Sequence, residues 1–566
     1  MSKVRVIGLD GATFSIIDHL AAGGRLPNFS RLMDKGRRAT LLSTAPPVTW
    51  PAWASFYTGT NPGKTGAADL FRFRPGTYKL EPMNAGNLHG RPIWSLAGDA
   101  GRRVCVYNVP VTYPAAPVNG ILISGLDAPS FNQHAIYPLE FKEKLLSAVP
   151  DFQINYHNDA KYLVNRHPDP VREWIRRLKA FLDMEIRTIN YLMGLEDWDL
   201  FVSVIRSPDI FQHTLWRDAE KAISGEELSA EEHLRAEAVF ECYEAIDRQL
   251  GETGSGWGVD GNLVIMSDHG FGRLRGSVCL NRVLAEAGLL KFHPLSERKR
   301  TREFLRKKLQ ARMSHQTRQK IKRFLGKERP DEGWSTYVDV LVSDIDWEHT
   351  RVASIGGFGC LFVNIKGRDP LGTVSSEEEM EKVIAKAEAA ISGLRDPWDG
   401  EPMVTRFYRK EELFHGPLAA AMPDLVVNFR DWSYCPVIGT ATELDGGPIV
   451  RPPVQDWKQL AHTGTHRREG ILILAGAAGM EGAEPDQADM VDVAPTIADL
   501  LGLPRVEEWD GRSLLKEPVE GNEAQPDEDK PAADGAPPAS RPEDLPAYSE
   551  EDEDEVRKRL GDLGYL

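Results

Sequence analysis

Paired cysteines, long apolar runs and an excess of basic charge are all missing from this sequence. Its five cysteines, Cys105, Cys242, Cys279, Cys360 and Cys435, lie far apart with no Cys-x-x-Cys pair among 566 residues. Such scattered, odd usage fits buried thiols in a reducing compartment and excludes a disulfide frame. No apolar run approaches the roughly 20 residues that a membrane span requires, and no signal peptide precedes the first apolar stretch at Val4, so a cytoplasmic location is expected. Lysine and arginine number 68 against 84 acids, a net charge of −16. A surface with that balance is not expected to bind nucleic acid. Asn61 to Gly66, NPGKTG, lacks the full G-x-x-x-x-G-K-[ST] spacing of a phosphate loop.

What is present is enough apolar sequence, 41%, for a large core, arranged as apolar strands that end in polar residues. Leu263 to Met266 is a buried-strand pattern followed at once by Ser267, Asp268, His269, Gly270 and Gly272. Val4 to Leu9 is another, stopped by Asp10 and Gly11. Leu200 to Ile205 leads into RSPDIFQH, which sets Asp209 and His213 four residues apart, one helical turn, so that both can face one point. Gly470 to Leu474 follows HTGTH, with His462 and His466. In an open α/β sheet, ligands collect beyond the carboxyl ends of the strands. Acid and imidazole groups gathered there can ligate a divalent metal.

The stretch LLSTAPPVTWPAWASFYTG predicts a helix beginning near Pro51, since proline suits the first turn. Thr49 then sits at its N-terminus, where backbone N–H groups and the dipole favour anions. Its hydroxyl is placed either to attack a phosphorus or sulfur centre or merely to cap the helix. Further strands are expected at Val104 to Asn108, Gly120 to Ser124, Val352 to Ile365 and Leu425 to Asn428, and helices at Ile16 to Met33 (interrupted), Trp174 to Met193, Glu226 to Leu250 and from Val491.

Residues 1–515 are expected to form one catalytic domain, with an insertion at about 285–345. Within it, residues 297–329 are strongly basic, with apolar residues at roughly helical intervals. That pattern fits a helical insertion, or a lid that meets an anionic substrate or surface. Residues 516–548 are rich in proline, alanine and acids with almost nothing to bury, the composition of a disordered linker. A short helix in 549–566 ends the chain, either docking back or binding a partner.

Together, Asp10, Thr49, Asp209, His213, Asp268, His269 and His466 resemble the metal set of the alkaline phosphatase superfamily. The nearest resemblance is to its type I phosphodiesterase/nucleotide pyrophosphatase branch and bacterial phosphohydrolase relatives. It spans most of residues 4–510, through TWP, DxxxH, SDHG, GTHRxEGIL and DVAPTIADLLG. The resemblance implies a three-layer α/β/α sandwich with a mostly parallel central sheet and an inserted cap region. It implies two divalent cations, Zn²⁺ or else Mn²⁺. Asp209, His213 and His466 would hold one, and Asp10, Asp268 and His269 the other, with Thr49 as nucleophile beside it. His462 is the rival of His466, which fits the family's Gly-x-His spacing. The substrate implied is a small phosphate ester, hydrolysed through a phospho-Thr49 intermediate. One departure stands out: Leu70, after Asp69, occupies the place of an asparagine that hydrogen-bonds a phosphate oxygen in nucleotide pyrophosphatases. A phosphomutase or phosphotransferase, a phosphomonoesterase, and a binding protein with a degenerate site are the competing readings.

Overall fold

A computed structural model describes residues 2–156, 163, 167–251, 261–293, 342, 344–437, 449–453, 462–476, 486–515 and 548–563. Its centre is a nine-stranded sheet in the order Gln487–Asp489, Arg37–Leu42, Glu469–Ala475, Asn262–Met266, Val4–Leu9, Leu200–Ile205, Val104–Val109, Gly120–Ser124, Ile136–Tyr137. Only Glu469–Ala475 and Ile136–Tyr137 run against the others. The central strands are apolar along their length because both faces are covered, as a parallel sheet requires. Alternate residues separate cleanly. Val4, Val6, Val202 and Val204 join one core, while Ile7, Leu9, Phe201 and Ile205 join the other. Pro170–Met193, Ser207–Ile223 and Ala230–Gly251 pack on the second face, Thr49–Thr58, Ile93–Asp99 and Val493–Leu501 on the first. This is the three-layer sandwich expected.

Several predicted bounds move. The helix expected from Glu226 begins at Ala230, and the interrupted helix is two helices, Phe14–Ala22 and Pro27–Lys35. The strand expected over Val352 to Ile365 is two, Val352–Ser354 and Cys360–Val363, paired antiparallel across a turn. Gly356 and Gly359 in that turn have φ of +86° and +80°, the left-handed region that stops a strand. These two strands join Leu425–Phe429 and Val404–Arg409 in a separate four-stranded sheet with its own core, covered by Glu377–Ser392. The chain thus leaves the main sheet after Met266 and returns to it at Glu469. The basic stretch of 297–329 and the linker over 516–547 lie outside the described residues.

The C-terminal helix, Glu550–Leu563, docks back. Tyr548, placed in the linker by composition, donates to the Asp127 carbonyl at 2.6 Å and stacks on Tyr113 with ring centres 5.3 Å apart. Val556 is buried, Arg557 donates to the Leu80 carbonyl, and Arg559 donates to the carbonyls of Leu126, Ala128 and Pro129. No helix among the described residues is long and apolar enough to cross a membrane.

Candidate active site and metal centre

Three adjacent parallel strands deliver the acids. Asp10 follows Val4–Leu9, Asp268 and His269 follow Asn262–Met266, and Asp209 lies in the first turn of the Ser207–Ile223 helix that follows Leu200–Ile205. His466 comes from Gly464–Arg467, just before Glu469–Ala475 enters the sheet in the opposite sense, so it starts at the same end. Gly464–Arg467 pairs antiparallel with Gly270–Arg273, which sets His466 opposite Phe271. All six acid and imidazole residues are buried.

The acid and imidazole side chains form two groups, with one addition. His213 Nε2 stands 3.3 Å from Asp209 Oδ1 and 3.1 Å from His466 Nε2, and His466 Nε2 stands 3.5 Å from the same carboxylate oxygen. His269 Nε2 lies 3.3 Å from Asp268 Oδ2 and 3.6 Å from Asp10 Oδ1. The addition is that His269 also comes within 4.8 Å of the Asp209 and His466 ligand atoms, its ring stacked on that of His466 at 3.5 Å. The two groups therefore adjoin.

Each imidazole is oriented by its other nitrogen. Nδ1 of His213, His269 and His466 meets the carbonyls of Gly464, Gly270 and Pro47 at 3.2, 3.0 and 2.8 Å. A nitrogen against a carbonyl must donate, so each ring presents its Nε2 lone pair to the cluster. Asp10 Oδ1 and Asp268 Oδ2 are buried with no hydrogen-bond partner among the described residues. Backbone N–H of Gly11 donates to the other oxygen of Asp268 at 3.2 Å. Buried acceptors turned on one another are costly unless a cation or protons lie between them. Accordingly, burial and the Asp268 charge hold the Asp10 carboxyl well above its ordinary range. Burial and the Asp209 charge push Asp268 up to about 8. Asp209 goes the other way: burial pushes it up, but the His213 and His466 imidazoles outweigh this and hold it low. Burial, then the neighbouring His466, pushes the His269 imidazole down. The oxygen and nitrogen donor set fits divalent cations.

Thr49 begins the helix Thr49–Thr58, whose N-cap is Val48 with no side-chain cap bond. Its hydroxyl does not cap. It is fully buried and lies 3.3 Å from His269 Nε2. The helix can approach the sheet this closely because Gly8 has no side chain: a Cβ there would come within 2.4 Å of the Trp53 ring. His462 stacks on His213 at 4.8 Å but stays half-buried behind it, so His466 is the histidine brought to Asp209.

Leu70 is packed into the core beside this helix. Asp69 was no candidate from sequence. Its Oδ1 accepts from the Leu70 N–H at 2.6 Å, Oδ2 has no partner among the described residues, and burial pushes the carboxyl up to about 7. Gly356 packs directly on that oxygen, and Phe358, two residues on, lies 5.5 Å from the His466 ring. Only the burial marks Asp69, and burial is decided by a loop nearly 300 residues away.

The type I phosphodiesterase / nucleotide pyrophosphatase family profile matches residues 4–443, most of the chain. The chain belongs to this family. No curated protein matches it in sequence. Among solved structures it is similar in fold to phosphonoacetate hydrolase from Sinorhizobium meliloti, in complex with phosphonoformate. That likeness has 14% identity, a TM-score of 0.51, and covers 88% of this chain and 96% of the other. Murine ectonucleotide pyrophosphatase / phosphodiesterase 5, in complex with AMP, aligns at 14% identity and a TM-score of 0.47 over 89% and 96% of the two chains.

Proposed function

We propose that the chain is a metal-dependent phosphohydrolase that uses Thr49 as nucleophile, with phosphodiesters as its first substrate class. The observation that carries this reading is the buried, non-capping Thr49 hydroxyl at a helix N-terminus, 3.3 Å from an imidazole of the acid and histidine cluster. Asp209, His213 and His466 would hold one cation, and Asp10, Asp268 and His269 the one beside Thr49. When bound, the two cations lower the hydroxyl's pKa and offset charge on the phosphoryl oxygens.

The chain's own part is placement. Gly11 N–H aims Asp268, the three carbonyls aim the imidazoles, and the helix N-terminus presents backbone N–H groups to the phosphoryl group. Thr49 Oγ1 bonds to phosphorus as the ester's P–O bond breaks, and the alcohol leaves with a proton. Water then cleaves phospho-Thr49, restoring the hydroxyl and releasing the phosphate product. Family membership supports the reaction class. Leucine at position 70 supplies no hydrogen bond to a phosphate oxygen, so a substrate other than a nucleotide diester is favoured. The basic stretch of 297–329 would meet an anionic substrate or surface.

The test is a set of aryl phosphate mono- and diesters offered to Zn²⁺- or Mn²⁺-loaded protein in ¹⁸O water. Hydrolysis with label in the phosphate product and phosphate trapped on Thr49 are expected. Transfer to a second alcohol without label would make it a phosphotransferase. No turnover of any ester would overturn the reading.

A further inference from the structure

The Gly270–Arg273 and Gly464–Arg467 ladder that carries His466 continues into a cavity of about 580 Å³, whose lining includes Arg273, Arg275, Arg430, Arg467, Thr405 and Ser433. Arg273 pairs with Gly464, two residues from His466, so the cavity begins about 7 Å along the strand from the metal centre. By alternation Arg273 shares a face with His466. Arg467 crosses over Gly272, where a Cβ would come within 2.5 Å of its Nε. Every hydrogen bond that its guanidinium makes among the described residues goes to a backbone carbonyl: Trp432, Thr465, His466 and Arg273. Asp431, Glu469 and Glu220 act on its charge from a distance, but none of them hydrogen-bonds to it.

Arg275 and Arg430 are set differently. Both meet Asp396 and Asp399 through Nη1, at 2.7 to 3.1 Å, which fixes their orientation. Arg275 and Arg430 therefore face two carboxylates, while Arg467 between the ladder and the wall donates to carbonyls alone. Arg273 at the rim is 60% exposed, with its nearest acid, Glu220, 3.9 Å away. Glu401 and Asp431 are exposed at the rim as well. Ser433 is 5% exposed, and its Oγ has no hydrogen-bond partner among the described residues. The wall is also conformationally forced. Arg430, Asp431 and Trp432 are three successive non-glycine residues with φ of 44°, 54° and 63°, held by the Trp432 N–H on Asn428 Oδ1. Strained backbone of this kind persists where the surroundings require it, which is characteristic of ligand clamps.

The geometry points to an anion subsite: the cavity binds a phosphate or carboxylate group. Guanidinium groups and a hydroxyl are the donors that recognise such oxyanions. The group is either the distal end of the substrate, which rests on the hydrolase reading above, or a free anion. Full-length, metal-loaded protein titrated calorimetrically with sodium sulfate separates the subsite from that reading. Saturable heat is expected, with affinity weakened about tenfold or more in Arg273→Gln, the loss of one charged hydrogen bond, and also weakened in Ser433→Ala, which breaks no existing bond. The second arm compares bis(4-nitrophenyl) phosphate with a 4-nitrophenyl diester whose alcohol carries a carboxylate. A preference for the carboxylate ester that falls about tenfold in Arg273→Gln identifies the substrate's own tail. An unchanged preference with weakened sulfate binding identifies a free anion. Sulfate affinity unchanged in both folded variants, with the ester preference also unchanged, overturns the subsite. If neither ester is hydrolysed, the hydrolase reading fails and the calorimetric arm still decides the cavity.

Discussion

His213 Nε2 and His466 Nε2 stand 3.1 Å apart, each with its Nδ1 turned to a backbone carbonyl. Two imidazole lone pairs facing at that distance repel unless something positive lies between them. With Asp209 Oδ1 at 3.3 and 3.5 Å from the two nitrogens, the cluster invites a cation.

Two divalent cations per chain are therefore expected after reconstitution with Zn²⁺ or Mn²⁺, read by elemental analysis. Asp268→Ala should lose one of them more readily than the other, since Asp268 touches the His269 group and not His213. A cation held at about a thousandfold above its Kd should stabilise the fold by about 4 kcal/mol, lost on chelation as a lower melting temperature.

The metal-free protein should have a distinctive pH dependence. Folding raises the Asp268 carboxyl to about 8, and raises Asp10 as well, from an unfolded value of about 4. A group raised in the folded state binds protons more tightly there, so its stability is full below about pH 4 and is lost as pH rises toward 8. Melting temperature measured from pH 5 to 8 after chelation should fall. Adding metal should flatten the slope, and at pH 7 metal binding should release protons, detected as buffer-dependent heats. A metal-free protein equally stable at both ends would mean that these carboxyls are not forced together.

Most of this centre could be read from the residues because a parallel sheet writes itself plainly. Strands covered on both faces, such as Leu200–Ile205, are unbroken apolar runs, and the residues that stop them, Asp10 and Asp268, stand where a ligand would bind. Other features depend on distant contacts. Thr49 could not be told from a cap until Val48 proved to be the N-cap. Asp69 carried no mark of its own in the sequence, and its burial, with Gly356 packed on its Oδ2, depends on a distant loop. The arginine cavity draws on positions 273, 275, 405, 430, 433 and 467, too scattered for any local pattern to announce. The docking of Tyr548 and Arg559 was equally hidden, because carbonyl partners leave no trace in a sequence.

Asp69 yields its own test. Its folded carboxyl is raised to about 7, so it stabilises the fold below about pH 4 and that contribution is lost as pH rises toward 7. Asn cannot ionise. Asp69→Asn should therefore gain stability over wild type from pH 5 to 8, by an amount on the order of 1–3 kcal/mol at the upper end. Equal pH slopes for the two proteins would show that Asp69 is not desolvated.

Removing residues after Leu515 should destabilise the catalytic domain. Tyr548 and Val556 are packed against it, and burying a large apolar side chain contributes about 1.5–3 kcal/mol. The truncated chain should melt at a lower temperature, with faster amide exchange at Leu126 to Ala128, where the carbonyls lose Arg559 and Tyr548. Unchanged melting would mean that the helix contributes nothing in solution.

Thr49 is the single residue on which the proposed reaction rests. Thr49→Ala removes the hydroxyl beside His269 and leaves Asp10, Asp268 and His269 in place. Because the side chain is fully buried, some stability must go with it, about 1 kcal/mol for a methyl group and a weak hydrogen bond. That loss leaves the protein folded at room temperature, since small domains hold about 5–15 kcal/mol in reserve. Turnover should fall much further, by about a thousandfold or more, because solvent water is not held in line as a fixed hydroxyl is. Thr49→Ser keeps the oxygen and drops only the methyl group, so it should restore most of the rate. The pair separates chemistry from packing: a packing role would make Ser nearly as poor as Ala in melting temperature and leave both rates near wild type. If Thr49→Ala is folded and metal-loaded and still turns over at the wild-type rate, the nucleophile is another group.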